Sequence, residues 1–90
     1  MITATAYFVA GPDDLFEPTA LAGGHWGETL ISGPAVAGLA AYALERDFGQ
    51  AGFMPARITI DLLKPARQVP TRNQTRMIRD GRRVRYAECD

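Results

Sequence analysis

The chain has 90 residues, of which 47% are hydrophobic and 22% charged, and its formal net charge is zero. This composition is typical of a folded globular domain and excludes the low hydrophobicity and high net charge of intrinsic disorder. A single cysteine, Cys89, excludes an internal disulfide, and a single histidine, His25, leaves no ligand cluster for a structural zinc ion. We therefore expect no metal and no cofactor. A cytoplasmic location is expected because the first residues also lack the basic start of a secretory signal.

The charges are distributed unevenly along the chain. Residues 1–56 contain one basic and six acidic side chains, whereas residues 57–90 contain nine basic and four acidic ones. This separation indicates that the two halves face each other or that the second half contacts an anion. The common alternative is that the charged side chains of both halves lie on faces that contact only solvent.

The first predicted elements are short strands and turns. Residues 4–9 are rich in β-forming side chains, and the turn residues 11–14 follow them. Residues 15–18 are predicted to return as an edge strand. Residues 20–33 contain four glycines around His25 and Trp26, which predicts a loop.

The clearest predicted element is a helix from about Gly33 to Phe48. Apolar residues recur at a spacing of three and four after Pro34, and Ser32 or Gly33 can serve as the N-cap. The apolar part is about 18 Å long, which is too short to span a bilayer. The remaining faces carry alanine and glycine, so we expect a helix that is buried on all sides with a sheet around it.

The second half of the chain predicts antiparallel strands. Residues 57–64 alternate with a period of two, and residues 71–79 and 82–89 flank Asp80 and Gly81, a dipeptide typical of two-residue hairpin turns. The last strand leaves an exposed edge, which favours pairing with another chain. We expect a homo-oligomer or a complementary half, with the contact at residues 82–89 or on the helix.

Four pieces of the sequence resemble the bacterial double hot-dog acyl-CoA thioesterases and their relatives, and they occur in the same order as in that family. Residues 30–40 resemble the start of the central helix, and residues 16–19 with 24–27 resemble the entry loop. Residues 58–65 resemble a strand that ends in an apolar-basic-proline turn, and residues 79–83 resemble the next hairpin.

The resemblance implies an α+β hot-dog fold, in which an antiparallel sheet wraps around one long helix. Residues 1–90 would then form a single, incomplete, amino-terminal hot-dog domain. The implied function is acyl-CoA thioester hydrolysis, in which an Asp, a Thr and a Gln come mainly from the second hot dog. The isolated chain is therefore expected to be inactive. The main alternative is a non-catalytic acyl-binding or structural half. A hot-dog dehydratase is a weaker alternative, since the single histidine lies before the helix and lacks the His-carboxylate arrangement of such enzymes.

The resemblance also directs attention to catalytic candidates. Asp61 could orient a water molecule as a general base, although a carboxylate on an alternating strand is more often solvated or paired with arginine. His25 and Glu28 are further catalytic candidates, and Trp26 beside them is a substrate-binding candidate that could form an aromatic wall. The alternative is that Trp26 covers the edge of the core.

Substrate-binding candidates lie at two places. The helix start, with Ser32, Gly33 and Ala35, offers unpaired amides that could polarise a thioester carbonyl, unless Ser32 merely caps the helix. Arg82 and Arg83 belong to an arginine-rich hairpin that could hold CoA phosphates. A nucleic-acid partner is not expected because no binding motif is present and few aromatic residues lie between the arginines.

Overall fold

The computed structural model describes residues 6–24, 27–62, 64 and 66–90. Within these residues it contains one α-helix and eight short strands in three antiparallel sheets, so the α+β prediction is confirmed. The elements in chain order are β1 (Phe8–Ala10), β2 (Leu15–Pro18), β3 (Gly23–Gly24), β4 (Gly27–Ile31), α1 (Gly33–Phe48), β5 (Ala66–Arg67), β6 (Thr71–Arg72), β7 (Thr75–Asp80) and β8 (Arg85–Cys89).

The first sheet has the order β1-β2-β6, which places β2 in the centre. A tight turn at Pro12–Asp14 joins β1 to β2, and Asp13 and Asp14 adopt left-handed φ angles of 58° and 61°. Aspartate tolerates this conformation better than most residues. The prediction that residues 15–18 form an edge strand is wrong, because Phe16 pairs with Thr71, far along the chain.

The second sheet has the order β3-β4-β5. It replaces most of the loop predicted for residues 20–33, where a 3-10 turn at Ala20–Ala22 leads into β3. The loop prediction is wrong for β4 because this strand is stabilised by distant residues: Leu30 pairs with Arg67, and Ile31 pairs with Ala66. The predicted loop residues 25 and 26 lie outside the described residues.

Helix α1 has the predicted bounds, and local interactions explain both ends. The Ser32 side chain accepts a hydrogen bond from the Ala35 amide at 3.3 Å, and Pro34 lies in the first turn. At the other end Gly49 leaves the helical conformation while its amide still donates to the Glu45 carbonyl at 2.7 Å.

The expectation that the helix is buried on all sides is wrong within this chain. Only the stripe of Ala35, Leu39 and Ala43 is buried, whereas Tyr42 is 52% exposed. Each sheet meets one part of the helix, so the remaining faces stay open. Their alanine and glycine residues carry little apolar area, and exposing them costs correspondingly little. Three further buried residues complete the core: Phe16, Ala22 and Ile31.

The predicted antiparallel hairpin is confirmed as β7 and β8. Its turn differs from the prediction, because residues 81–84 form a longer loop that is closed by a hydrogen bond from the Gly81 amide to the Val84 carbonyl at 3.1 Å. Asp80 and Arg85, the cross-strand partners next to this loop, form an ion pair of 3.0 Å. The predicted strand over residues 71–79 is divided, since β6 leaves to pair with β2.

The strand predicted for residues 57–64 is absent from the described part of the chain. Residues 53–62 have no regular secondary structure and all are exposed. Ile58, Ile60 and Leu62 are 55%, 39% and 57% exposed. An alternating pattern describes which face a strand buries, but a strand forms only beside a partner, and the described residues provide none here.

Candidate functional site

An apolar groove lies between the first sheet and helix α1. Its volume is about 380 Å³, within the range of small-molecule sites. Phe16 and Tyr42 pack edge to face across it, with ring centroids 5.9 Å apart. Seven residues line the groove: Tyr7, Phe8, Ala10, Phe16, Gly38, Leu39 and Tyr42.

Gly38 keeps the groove open on the helix side. A Cβ atom built at this position would meet no atom within 4 Å. The neighbouring groove residue Leu39 is buried and forms part of the floor, whereas Tyr42 remains half-exposed at the rim. The groove is therefore open to solvent on the helix side and is lined mainly by apolar side chains.

Arg46 lies beside the aromatic pair. Its guanidinium carbon lies 6.0 Å from the Phe16 ring centroid and 5.8 Å from that of Tyr42. The guanidinium forms ion pairs of 2.9 Å with both Asp14 and Asp47. The hydrogen bond with Asp47, followed by attraction to Asp14, raises the pKa of Arg46 above its ordinary value. The group is thus a permanent cation at the groove wall.

A second depression lies at the turn between β7 and β8 and has a volume of about 520 Å³. Arg79, Arg82 and Arg83 line it, and Arg82 and Arg83 are exposed. Neither of these two makes an ion pair with any described residue. Gly81 is required in this turn because a side chain there would collide with the Val84 carbonyl. The depression can bind an anion through guanidinium forks.

The helix start is occupied by local interactions. The Ala35 amide donates to Ser32, and the Val36 amide donates to the Ser32 carbonyl at 3.1 Å. A side chain at Gly33 would begin 3.2 Å from Leu62 Cδ1, so Leu62 covers this end of the helix. Ser32 therefore caps the helix, and the amide of Ala35 already has a hydrogen-bond acceptor.

The remaining candidate residues from the sequence analysis lie in different segments of the chain. Asp61 is exposed in the irregular segment, directly before the leucine that covers the helix start. His25 and Trp26 lie outside the described residues, and Glu28 belongs to strand β4. The structure thus places Leu62, the chain neighbour of Asp61, at the helix start, and it places Arg82 and Arg83 together at a separate turn.

Sequence reasoning missed the groove. Phe8 and Phe16 come from two strands, and Tyr42 comes from the helix, so no spacing along the chain brings them together. The available signal was the placement of Gly38, Leu39 and Tyr42 on one side of the predicted helix at intervals of three and four. Among the described residues, no cluster of histidine, cysteine and carboxylate side chains suits a metal ion, and no helix is long and apolar enough to cross a membrane.

A family model described as acyl-CoA thioesterase N-terminal domain matches residues 23–90, which is more than half of the chain. The chain belongs to this family. The match includes strands β3 to β8 and the whole of helix α1. It confirms the resemblance seen in the sequence, while β1 and β2, which form one wall of the groove, lie before the matched region. No curated protein and no solved structure matches the chain.

Proposed function

We propose that this chain is the acyl-binding, amino-terminal hot-dog domain of an enzyme that hydrolyses acyl-CoA thioesters. Membership of the acyl-CoA thioesterase N-terminal domain family carries the proposal. The apolar groove supports it by offering a concave site for an acyl chain. The single free thiol, Cys89, suits a reducing, cytoplasmic setting.

The hot-dog arrangement is part of this proposal. The helix buries the stripe of Ala35, Leu39 and Ala43 and exposes its remaining small residues. Small residues allow a neighbouring backbone to approach closely, so further strands can cover these faces. Residues 57–62 have the alternation to supply such a strand when the domain pairs with a second copy or a complementary hot-dog half.

Two anchor regions are proposed for the substrate. The acyl chain lies in the groove beside Leu39 and Tyr42, and the CoA phosphates contact Arg82 and Arg83. Trp26, Ser32, Gly33 and Ala35 are proposed around the thioester group. The Ala35 amide already donates a 3.3 Å hydrogen bond to Ser32, so it can polarise the thioester carbonyl only if this hydrogen bond breaks.

Hydrolysis joins a water oxygen to the thioester carbonyl carbon, breaks the carbon–sulfur bond and leaves a proton on the CoA thiol. Asp61, His25 and Glu28 are the proposed groups that take the proton from water. The position of Asp61 beside Leu62, which covers the helix start, supports its inclusion.

A non-catalytic acyl-binding half is the second candidate function. It is favoured by the exposed Asp61, which makes no hydrogen bond or ion pair with any described residue, and by the engaged Ala35 amide. Under this alternative the groove binds the acyl chain and another domain supplies the chemistry.

The test compares two leucine substitutions on the same helix. Gly38→Leu places a side chain in the open groove, whereas Ala41→Leu changes an exposed helix position that does not line it. We expect Gly38→Leu to weaken the binding of long-chain acyl-CoA at least about tenfold, since one or two buried CH₂ contacts account for that much. Titration calorimetry with acyl-CoA of several chain lengths measures this.

Ala41→Leu should bind like the parent chain. Equal affinity of both variants would remove the groove from the proposal, and no binding of any acyl-CoA would remove acyl binding altogether. A thiol-release assay on the same samples tests whether this chain itself carries catalysis. Turnover that is lost in Asp61→Asn supports a catalytic role for this chain, and binding without turnover removes Asp61, His25 and Glu28 as sufficient catalytic groups.

A further inference from the structure

One end of the β7–β8 hairpin carries a concentrated positive charge. This end, residues 78–86, is called the hairpin tip below, and it contains four arginines and one aspartate. The aspartate, Asp80, is already engaged by Arg85 in an ion pair of 3.0 Å. The other three arginines are exposed and make no ion pair with any described residue: Arg79, Arg82 and Arg83. Their charge is therefore available to an anionic partner.

The opposite end of the same hairpin is neutralised within the chain. Arg76 forms an ion pair of 2.6 Å with Glu88 and one of 3.2 Å with Asp90. The excess of positive charge on this hairpin is thus confined to its tip.

Exposed apolar side chains lie among the arginines of the tip. Ile78, Val84 and Tyr86 are all exposed. A β-bulge at Ile78 places both Ile78 and Arg79 opposite Tyr86, so an aliphatic, a cationic and an aromatic side chain share a small area. Arginine beside aliphatic and tyrosine side chains suits the boundary between the phosphate groups and the acyl chains of a lipid layer.

The loop of the tip is formed before any partner binds. The Gly81 amide donates to the Val84 carbonyl at 3.1 Å, and Arg85 donates a hydrogen bond of 2.6 Å to the carbonyl of Phe48 at the end of α1. The bond at Val84 uses the backbone and leaves its side chain 63% exposed. Binding through the tip therefore needs little ordering of the chain.

We propose that the hairpin tip binds an anionic phospholipid surface. Arg79, Arg82 and Arg83 contact the phosphate groups, and Val84 enters the apolar layer beneath them. The two kinds of contact act together, since stable binding to a membrane surface usually needs two signals. Phosphate is the group that these lipids share with CoA, so the same guanidinium groups suit either ligand. The apolar side chains distinguish the lipid surface, because a soluble phosphate does not use them.

A lipid surface fits the size of the tip better than an acidic protein does. Each partner in a standard protein interface contributes roughly 800 Å² and about 20–30 residues. A helix bound at a membrane surface, by comparison, buries its apolar face only about 5–10 Å deep. The tip offers seven exposed residues: Ile78, Arg79, Asp80, Arg82, Arg83, Val84 and Tyr86.

The first test measures vesicle binding by co-sedimentation, without any acyl-CoA. We expect the parent chain to bind phosphatidylcholine vesicles with about 30% phosphatidylserine at least about tenfold more tightly than vesicles of phosphatidylcholine alone. The outcome does not depend on the proposed acyl groove, because no acyl-CoA is present. A parent chain that binds neither vesicle, or both equally, would overturn the proposal.

Charge reversal tests the role of the arginines. Arg82→Glu/Arg83→Glu should weaken binding to the anionic vesicles at least about tenfold, because two attractive charges become repulsive. The matched control Arg57→Glu/Arg72→Glu makes the same change in net charge at two exposed positions outside the tip. The control should bind like the parent chain. Equal binding by both double variants would show that net charge, and not the tip, attracts the vesicles.

A valine substitution tests the apolar contact. Val84→Ser should weaken binding to the anionic vesicles at least about fivefold, since less apolar surface is buried in the lipid. Val69→Ser changes an exposed valine outside the tip and should bind like the parent chain. An unchanged Val84→Ser variant would reduce the tip to a site for soluble phosphates. Binding to polyglutamate in preference to the anionic vesicles would assign the tip to an acidic protein. Either result would overturn the proposal.

Discussion

Arg46 joins three parts of the chain through one guanidinium group. It reaches the β1–β2 turn at Asp14, its helix neighbour Asp47 and the aromatic rings of the groove wall. The hydroxyl of Thr75 donates a hydrogen bond to Asp47 at 2.5 Å, so the start of β7 also contacts this cluster of polar side chains. The side chains of Arg46 and Asp47 are both 31% exposed, which limits the energy of their ion pair. Their value lies in fixing how helix, turn and hairpin meet.

Asp47 makes this cluster sensitive to acid. Hydrogen bonds from Arg46 and then from Thr75 lower the pKa of Asp47 below its ordinary value. A carboxylate with a lowered pKa in the folded state contributes stability above its unfolded pKa of about 3.9 and loses that contribution as the pH falls further. We expect the free energy of unfolding of the parent chain to fall more steeply below about pH 4 than that of Asp47→Asn. Urea denaturation at a series of pH values measures this difference.

Asp13→Asn is the matched control for the acid series. Asp13 lies beside Asp14 in the β1–β2 turn and makes no ion pair with any described residue, and asparagine tolerates its left-handed φ angle. The control should retain the acid dependence of the parent chain. If Asp47→Asn shows the same slope as Asp13→Asn, Asp47 has no special part in acid stability.

The helix shows how burial changes the effect of a substitution. A helix covered on all sides would be overpacked by any enlargement of Gly38, at a cost of about 1–3 kcal/mol. In the structure a Cβ at this position meets open space. The change in helix propensity should therefore determine how a small substitution at Gly38 changes the free energy of unfolding.

We expect Gly38→Ala to raise the free energy of unfolding by about 0.5–1 kcal/mol, because alanine loses less backbone entropy than glycine in a helix. Gly49→Ala is the matched opposite case. A Cβ there collides with the Glu45 carbonyl, whose position is fixed by the last turn of the helix, so this variant should be less stable than the parent. Urea denaturation of both variants decides. Destabilisation by Gly38→Ala would show that the helix is covered on this face after all.

The whole molecule exposes more surface than a compact domain of its length. Its radius of gyration is 14.3 Å, compared with about 12 Å expected for 90 residues. Six hydrophobic residues are buried among the described ones, and thirteen large hydrophobic residues are exposed. The chain therefore buries less apolar surface than a compact domain of its length, and this burial is the main source of folding stability.

If a second copy covers the exposed hydrophobic residues, stability must depend on protein concentration. Association removes folded monomers from the equilibrium, so the thermal midpoint should rise by about 2–6 °C for each tenfold increase in concentration. Calorimetric scans from micromolar to near-millimolar concentration measure this rise. A midpoint that is the same at all concentrations for the parent chain would contradict the dependence on a second copy.

Local chemistry was readable from the sequence alone. The bounds of α1 follow from Ser32, Pro34 and Gly49, which act on backbone groups within four residues of themselves. The β7–β8 hairpin follows from two β-forming segments on either side of Asp80 and Gly81, although its loop over residues 81–84 is longer than the two-residue turn predicted from that dipeptide. The family followed from the order of several short segments, which the match over residues 23–90 confirms.

Only the tertiary structure decided which elements meet. Pairing of Leu30 with Arg67, or of Phe16 with Thr71, joins positions far apart in the chain, and no local pattern specifies it. The groove depends on the same long-range contacts. Residues 57–62 alternate in the sequence, yet alternation states only which side chains would share a face. Whether a strand forms depends on a partner that supplies hydrogen bonds and burial, and the described part of the chain contains no such partner for this segment.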